Sequence, residues 1–236
     1  MRSRVTGPLL AVALGAHGGC ARDCDEICLA ARYDVAHAQS PVESTRAQKA
    51  VLRDLPRLAY RDLPRAYVER SGQTQKPFAR RLRRRRYYVV AGDARHRFIA
   101  GSIRLSDLMA PALDGDHRSP YLLLDRRLPP RLLALRRWLD KRGYDPDGFR
   151  VREGFRPPTV NQEGGGAPFS RHIYGEAVDL VRGDLDRDGD ADQDDKAILL
   201  RAAEATIGNR GGIGRYPGTE TVHIDVRGRR ARWDSY

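Results

Sequence analysis

"SRHIYGEAVDL" (residues 170–180) and "ETVHIDV" (residues 220–226) decide how this chain is read. The first sets His172 and Asp179 on either side of Gly175, a residue that permits tight backbone geometry. The chain can turn there, enter a strand and present both side chains to one point. The second alternates. Thr221, His223 and Asp225 share one face, and Val222, Ile224 and Val226 share the other. A polar face can look into a cleft while the apolar face joins a core. Histidine and carboxylate are ligands that zinc takes in hydrolytic sites, three from the protein with a fourth position left for water. Each histidine alone is more often a hydrogen-bonded structural residue.

Around these segments the pattern is mixed. "YYVVAG" (87–92) and "RFIAGSIRL" (97–105) read as strands, and "YLLLD" (121–125) as a short apolar run. A helix follows. Pro129 and Pro130 sit at its start, Leu128, Leu132, Leu135 and Leu139 recur at helical spacing, and Gly143 stops it. "FRVREGF" alternates as a strand, "RPPTVNQEGGGAPFS" is a loop, "EAVDLV" a strand, "KAILLRAAEATI" a helix and "TVHIDVRG" a last strand. Strands and helices alternate without a regular parallel repeat. The fold class is α+β, with a small antiparallel sheet flanked by helices.

The chain has 236 residues, 40% of them hydrophobic, which is enough for one ordinary domain with an N-terminal extension. Residues 1–38 carry two arginines, a short apolar run from Leu9 to Leu14 and small residues, the shape of an export signal. That run is too short to span a bilayer, so no stable transmembrane segment is expected. The expected location is the periplasm or cell envelope, or outside the cell. Residues 39–86 are rich in Arg and Pro and read as a basic linker or extension; "RDLPR" occurs at 53–57 and again at 61–65. Residues 87–236 form the main domain. Its cysteines are none, because Cys20, Cys24 and Cys28 are the only ones in the chain, so neither a disulfide scaffold nor a thiol enzyme is available to it.

The net charge of +12 favours polyanions such as wall polymers, membrane surfaces or nucleic acid. Its densest part, "ARRLRRRR" (79–86), has no interleaved aromatic residues to stack on bases. A solvated linker, or a patch touching acidic wall polymer, suits it better, and no nucleic-acid partner is expected.

Taken in order, the motifs are specific. "S-x-H-x-x-G-x-A-x-D" stands at Ser170, His172, Gly175, Ala177 and Asp179, and "E-x-x-H" at Glu220 and His223. Upstream, "GFRPPTVN" places Arg156 after a glycine and an aromatic. Together these resemble the D-Ala-D-Ala carboxypeptidase and murein endopeptidase family of zinc peptidases, which shares its fold with the hedgehog signalling domain. "GGIGRY" and "RGRRARW" look like the branch with murein-type substrates. The resemblance covers roughly residues 87–236. It implies zinc on His172, Asp179 and His223, a metal-activated water, Glu220 as general base and Arg156 steadying the substrate carbonyl. It also implies peptidoglycan stem peptides or cross-links as substrates, cut by a D,D-carboxypeptidase or an endopeptidase. Ser170 and Asp225 are candidates for support or substrate contact, with Asp225 able to orient His223 or to lie on the surface. This chain departs from the family in carrying Glu153 where a small residue is common before the Gly-aromatic-Arg motif.

"DLDRDGDADQDD" (184–195) is a second cation candidate, inserted after the Asp179 strand. Asp184, Asp186, Asp188, Asp190, Asp192 and Asp195 match the ligand positions of a calcium loop, with Gly189 at its sharp turn. Asp replaces the bidentate Glu at the last position. Two other function classes remain at this stage: a non-catalytic wall-binding domain of the same fold, which has no need of Glu220, and a basic nucleic-acid-binding protein.

Overall fold

The computed structural model describes residues 41–110 and 119–234; the expected export segment and the three cysteines lie outside them. Ser44 opens helix α1 (Thr45–Arg53), its hydroxyl accepting from the Ala47 amide at 3.1 Å. Strand β1 (Arg57–Ala59), helices α2 (Arg65–Arg70) and α3 (Lys76–Leu82) and strand β2 (Arg86–Val89) follow. The two "RDLPR" copies place their prolines at element boundaries. Pro56 precedes β1 and accepts from the Val89 amide at 2.8 Å, and Pro64 precedes α2.

Residues 41–86, read as a linker or extension, are thus a folded extension. Leu55, Leu63, Tyr67, Phe78 and Leu82 are buried in the same cluster as Leu132, Ile198 and Ile224. Helices α2 and α3 hide Tyr67, Val68, Phe78 and Leu82 between arginines, so average composition conceals the inner face.

Strands β3 (Phe98–Ala100) and β4 (Ile103–Arg104) form a hairpin. The single strand expected over 97–105 turns back at Gly101, whose φ of 55° suits glycine. Strand β5 (Tyr121–Leu122) pairs antiparallel with β2, which also pairs with β1. Helix α4 (Leu128–Asp140) starts on its two prolines as the sequence predicts, and Leu128, Leu132, Leu135 and Leu139 are buried.

The remainder builds the sheet that carries the site: β6 (Phe149–Glu153), helix α5 (Pro158–Glu163), β7 (Ala177–Arg182), helix α6 (Gln193–Ile207), β8 (Gly212–Gly214), β9 (Thr221–Asp225) and β10 (Ala231–Trp233). The strand order is β10-β8-β9-β7-β6, antiparallel except for the edge pair β10–β8. The α+β expectation holds. The segment expected as a plain loop, 156–170, contains α5, which begins at a proline. Two strands of this sheet escape the sequence pattern: β8 is "GIG" and β10 is "ARW", each three residues, too short for periodicity to register.

Helix α6 packs on α4 and on β9. Val222 and Ile224 face that side, which leaves Thr221, His223 and Asp225 for the other. Among the described residues no helix is long and apolar enough to cross a membrane.

Candidate metal centre

The site is built from a turn and two neighbouring strands. Ser170 caps a 3-10 turn, Arg171–Tyr174, its hydroxyl accepting from the His172 amide at 3.3 Å. Gly175 ends the turn in the left-handed region at φ 64°, and a Cβ there would lie 2.0 Å from the Leu123 carbonyl oxygen. Only glycine fits this approach, which aims the His172 ring back at the sheet. Ser170, left by the sequence as a support or substrate residue, works here as a cap.

Asp179 on β7 and His223 on β9 are Cα partners in the antiparallel ladder, so their side chains share a face. His223 Nδ1 lies 2.8 Å from Asp179 Oδ1 and 3.1 Å from His172 Nε2, and His172 Nε2 lies 3.2 Å from Asp179 Oδ1. His172, Asp179 and His223 are the one described histidine-containing group able to hold a metal.

The outer nitrogens decide the tautomers. His172 Nδ1 donates to the Gly154 carbonyl oxygen at 2.6 Å, and His223 Nε2 donates to Asp225 Oδ2 at 3.3 Å. Each ring therefore turns a lone pair inward, and the Asp179 carboxylate adds a third acceptor. Three acceptors about 3 Å apart repel one another unless a cation sits among them, and the donor set of two imidazoles and a carboxylate suits zinc with bonds of about 2.0–2.2 Å. The residues fit the metal.

The electrostatics agree. Burial lowers the His172 pKa and keeps the ring neutral. Burial pulls His223 down as well, but its hydrogen bonds with Asp179 and Asp225 and their charges outweigh this, and the net shift is upward. A proton on His223 and a metal ion answer the same local excess of negative charge. Burial alone would raise Asp179, yet the two histidines hold it far below the usual carboxylate range.

Asp225, left between an orienting role and the surface, is fully buried. Besides His223 it accepts from the Gly212 amide at 3.1 Å and from Arg227 Nε at 2.9 Å. Arg156 lies beside the triad. Its amide bonds the His172 carbonyl at 3.2 Å, and its Nη1 meets Glu153 Oε2 at 2.8 Å. Glu220 is not brought into this network. Its side chain is exposed, and only its carbonyl is engaged, by the Arg182 amide at 3.3 Å.

Three groups that the sequence reading passed over support the site. Trp233 on β10 stacks at a tilt 5.1 Å from the His223 ring, an approach allowed because Gly214 beneath it has no side chain. Buried Lys196 holds the β8–β9 loop by donating to the Tyr216 carbonyl at 2.7 Å and to that of Thr219. Buried Glu176, next to Gly175, accepts from Arg81, from Arg85 at 2.7 Å and from Arg171 at 3.3 Å. Two arginines of the "ARRLRRRR" block are thereby structural, fastening α3 to the His172 turn. A solvated linker describes only the exposed members, Arg80, Arg83, Arg84 and Arg86. The lone C-terminal tryptophan was the available signal for the first of these groups; nothing local marks the other two.

In the acidic loop, Asp184, Asp186 and Asp188 converge to within 4.8 Å. Asp192 and Asp195 form a capping box on α6, and Asp195 also accepts from the Leu185 amide at 2.6 Å. Asp190 stays exposed. The six aspartates thus divide into a cluster of three, a helix cap and a free side chain.

Residues 127–225 match the family model described as Peptidase M15. This segment is similar to the peptidase M15 family. The matched segment contains all three converging side chains together with Arg156, Glu220 and the acidic loop, whereas residues 41–126 and Trp233 lie beyond the match. Peptide hydrolysis by a metallopeptidase is the chemistry of the M15 family, and its members are typically zinc-dependent. No curated protein matches the chain.

Proposed function

We propose that this protein is an exported zinc peptidase that hydrolyses peptide bonds in peptidoglycan stem peptides or their cross-links. The observation that carries the reading is the convergence of His172 Nε2, Asp179 Oδ1 and His223 Nδ1, all three as acceptors, beside the Arg156 guanidinium. Zinc held there supplies a Lewis acid that brings the pKa of a bound water to about 7. Asp225 keeps the His223 lone pair pointing inward. Arg156, permanently charged, polarises the scissile carbonyl. Glu220, three residues before His223, would be the general base that moves a proton to the leaving amine, from an exposed position at the edge of the site. The engagement of Arg81 and Arg85 by Glu176 favours this reading over nucleic-acid binding, since part of the basic block is not free to meet phosphates.

Glu220→Gln retains about one zinc per chain while murein digestion falls by roughly 10²–10⁴-fold. Elemental analysis and muropeptide chromatography measure the two. Digestion at the parent rate removes Glu220 from the mechanism. A wall-binding protein without catalysis would instead bind murein and release no fragments in either form.

For the acidic loop the proposal is calcium. Calcium at about a hundredfold its Kd raises the Tm of chelator-treated protein by roughly 5 °C or more. An unchanged melting curve overturns it.

A further inference from the structure

Glu153 and Asp179 are Cα partners across β6 and β7, as Asp179 and His223 are across β7 and β9. A register shift between Val151 and Glu153 sets Glu153 opposite Asp179, so Glu153, Asp179 and His223 lie in one row across the sheet. The Glu153 carboxylate is half-exposed on the open side of that row and pairs with Arg156 at 2.8 Å. Arg156 is itself largely buried, and its Nε has no partner among the described residues.

We infer that Glu153 is a specificity-determining residue that turns the site away from substrates ending in a free carboxylate at the scissile residue and towards peptide bonds inside a continuing chain. The inference rests on the peptidase reading and deepens it. A terminal carboxylate docks on an arginine when that arginine is an unopposed cation. Here the Arg156 charge is already matched by a carboxylate 2.8 Å away, and an incoming carboxylate also meets the like charge of Glu153. An amide carbonyl carries no charge and needs only an N–H donor. The Arg156 guanidinium carries five N–H donors, more than its contact with Glu153 uses. A neutral small residue at position 153 would leave the guanidinium unopposed. The chain thus distinguishes a cross-link or interior bond from a terminal one by charge at a single subsite.

The test compares diacetyl-L-Lys-D-Ala-D-Ala with its C-terminal amide, against the parent and against Glu153→Gln. Binding to metal-free protein is measured by calorimetry and turnover on the zinc-loaded protein. Gln keeps the size of the side chain, and the position is half-exposed, so folding is retained. The expected result is a gain of at least tenfold in affinity and in kcat/KM for the carboxylate peptide, with less than a threefold change for the amide. The gain shrinks as salt is raised. An unchanged ratio between the two peptides overturns the inference, and so does a failure of both proteins to bind either peptide. Turnover absent from both proteins, with the binding ratio shifted as expected, overturns the peptidase reading and leaves the charge-selecting role of Glu153 standing.

Discussion

His223→Ala removes zinc and peptidase activity together. The parent holds about one zinc per chain, following the coordination of a three-ligand site. The variant loses one of three inward acceptors and also releases Asp225 from its imidazole partner. Zinc content falls below about a tenth of an equivalent, and murein digestion drops at least about a thousandfold, because both the Lewis acid and the water it activates depend on the intact set. Asp225→Asn is the graded companion. It keeps all three ligands but weakens the bond that sets the His223 tautomer, and costs about 10–100-fold in metal affinity. If His223→Ala retains a full equivalent of zinc at the site, the metal centre lies elsewhere and the mechanism goes with it.

Glu176→Ala has the largest expected effect on stability. Glu176 is only 2% exposed and faces Arg81, Arg85 and Arg171, with Arg127 at 3.9 Å. Deleting the carboxylate leaves these guanidiniums facing one another without their common counter-ion. Breaking a buried ion pair from one side typically costs about 3–5 kcal/mol. The arginines are partly solvated, so the low end applies, about 3 kcal/mol, or a Tm lower by roughly 6–12 °C for a chain of this size. Thermal unfolding by circular dichroism measures it. A fall under about 2 °C shows that α3 is fastened to the His172 turn by apolar packing alone. Because Glu176 adjoins that turn, the same variant should also bind zinc more weakly than the parent.

The two halves of the candidate site differed in how far the sequence exposed them. His172, Asp179 and His223 were legible because the signals are local: a glycine between a histidine and an aspartate, and a two-residue alternation in "TVHIDV". Helix α4 was legible for the same reason, from its prolines and leucine spacing. Strand "RFIAGSIRL" was misread because one glycine at positive φ folds it into a hairpin, and β8 and β10 are too short to carry a period. For the N-terminal segment, read as a linker or an extension, composition did not show that it folds. Its arginines dominate the count, while Tyr67, Phe78 and Leu82 on the inner faces join the core.

Residue types and spacing singled out His172, Asp179 and His223 as side chains able to meet and set the α+β class, and the resemblance of their motifs to zinc peptidases supplied the expectation of a metal on them. The first two follow from rules that act over a few neighbouring residues: strand alternation, helix periodicity and the conformational freedom of glycine. Tertiary structure alone decided that three acceptors meet with their lone pairs inward, that Asp225 is interior, that Glu153 stands in line with the metal ligands and that Glu176 gathers arginines from the basic block. Each of these depends on which strands lie side by side and on what water cannot reach, and both are set by packing between segments far apart along the chain.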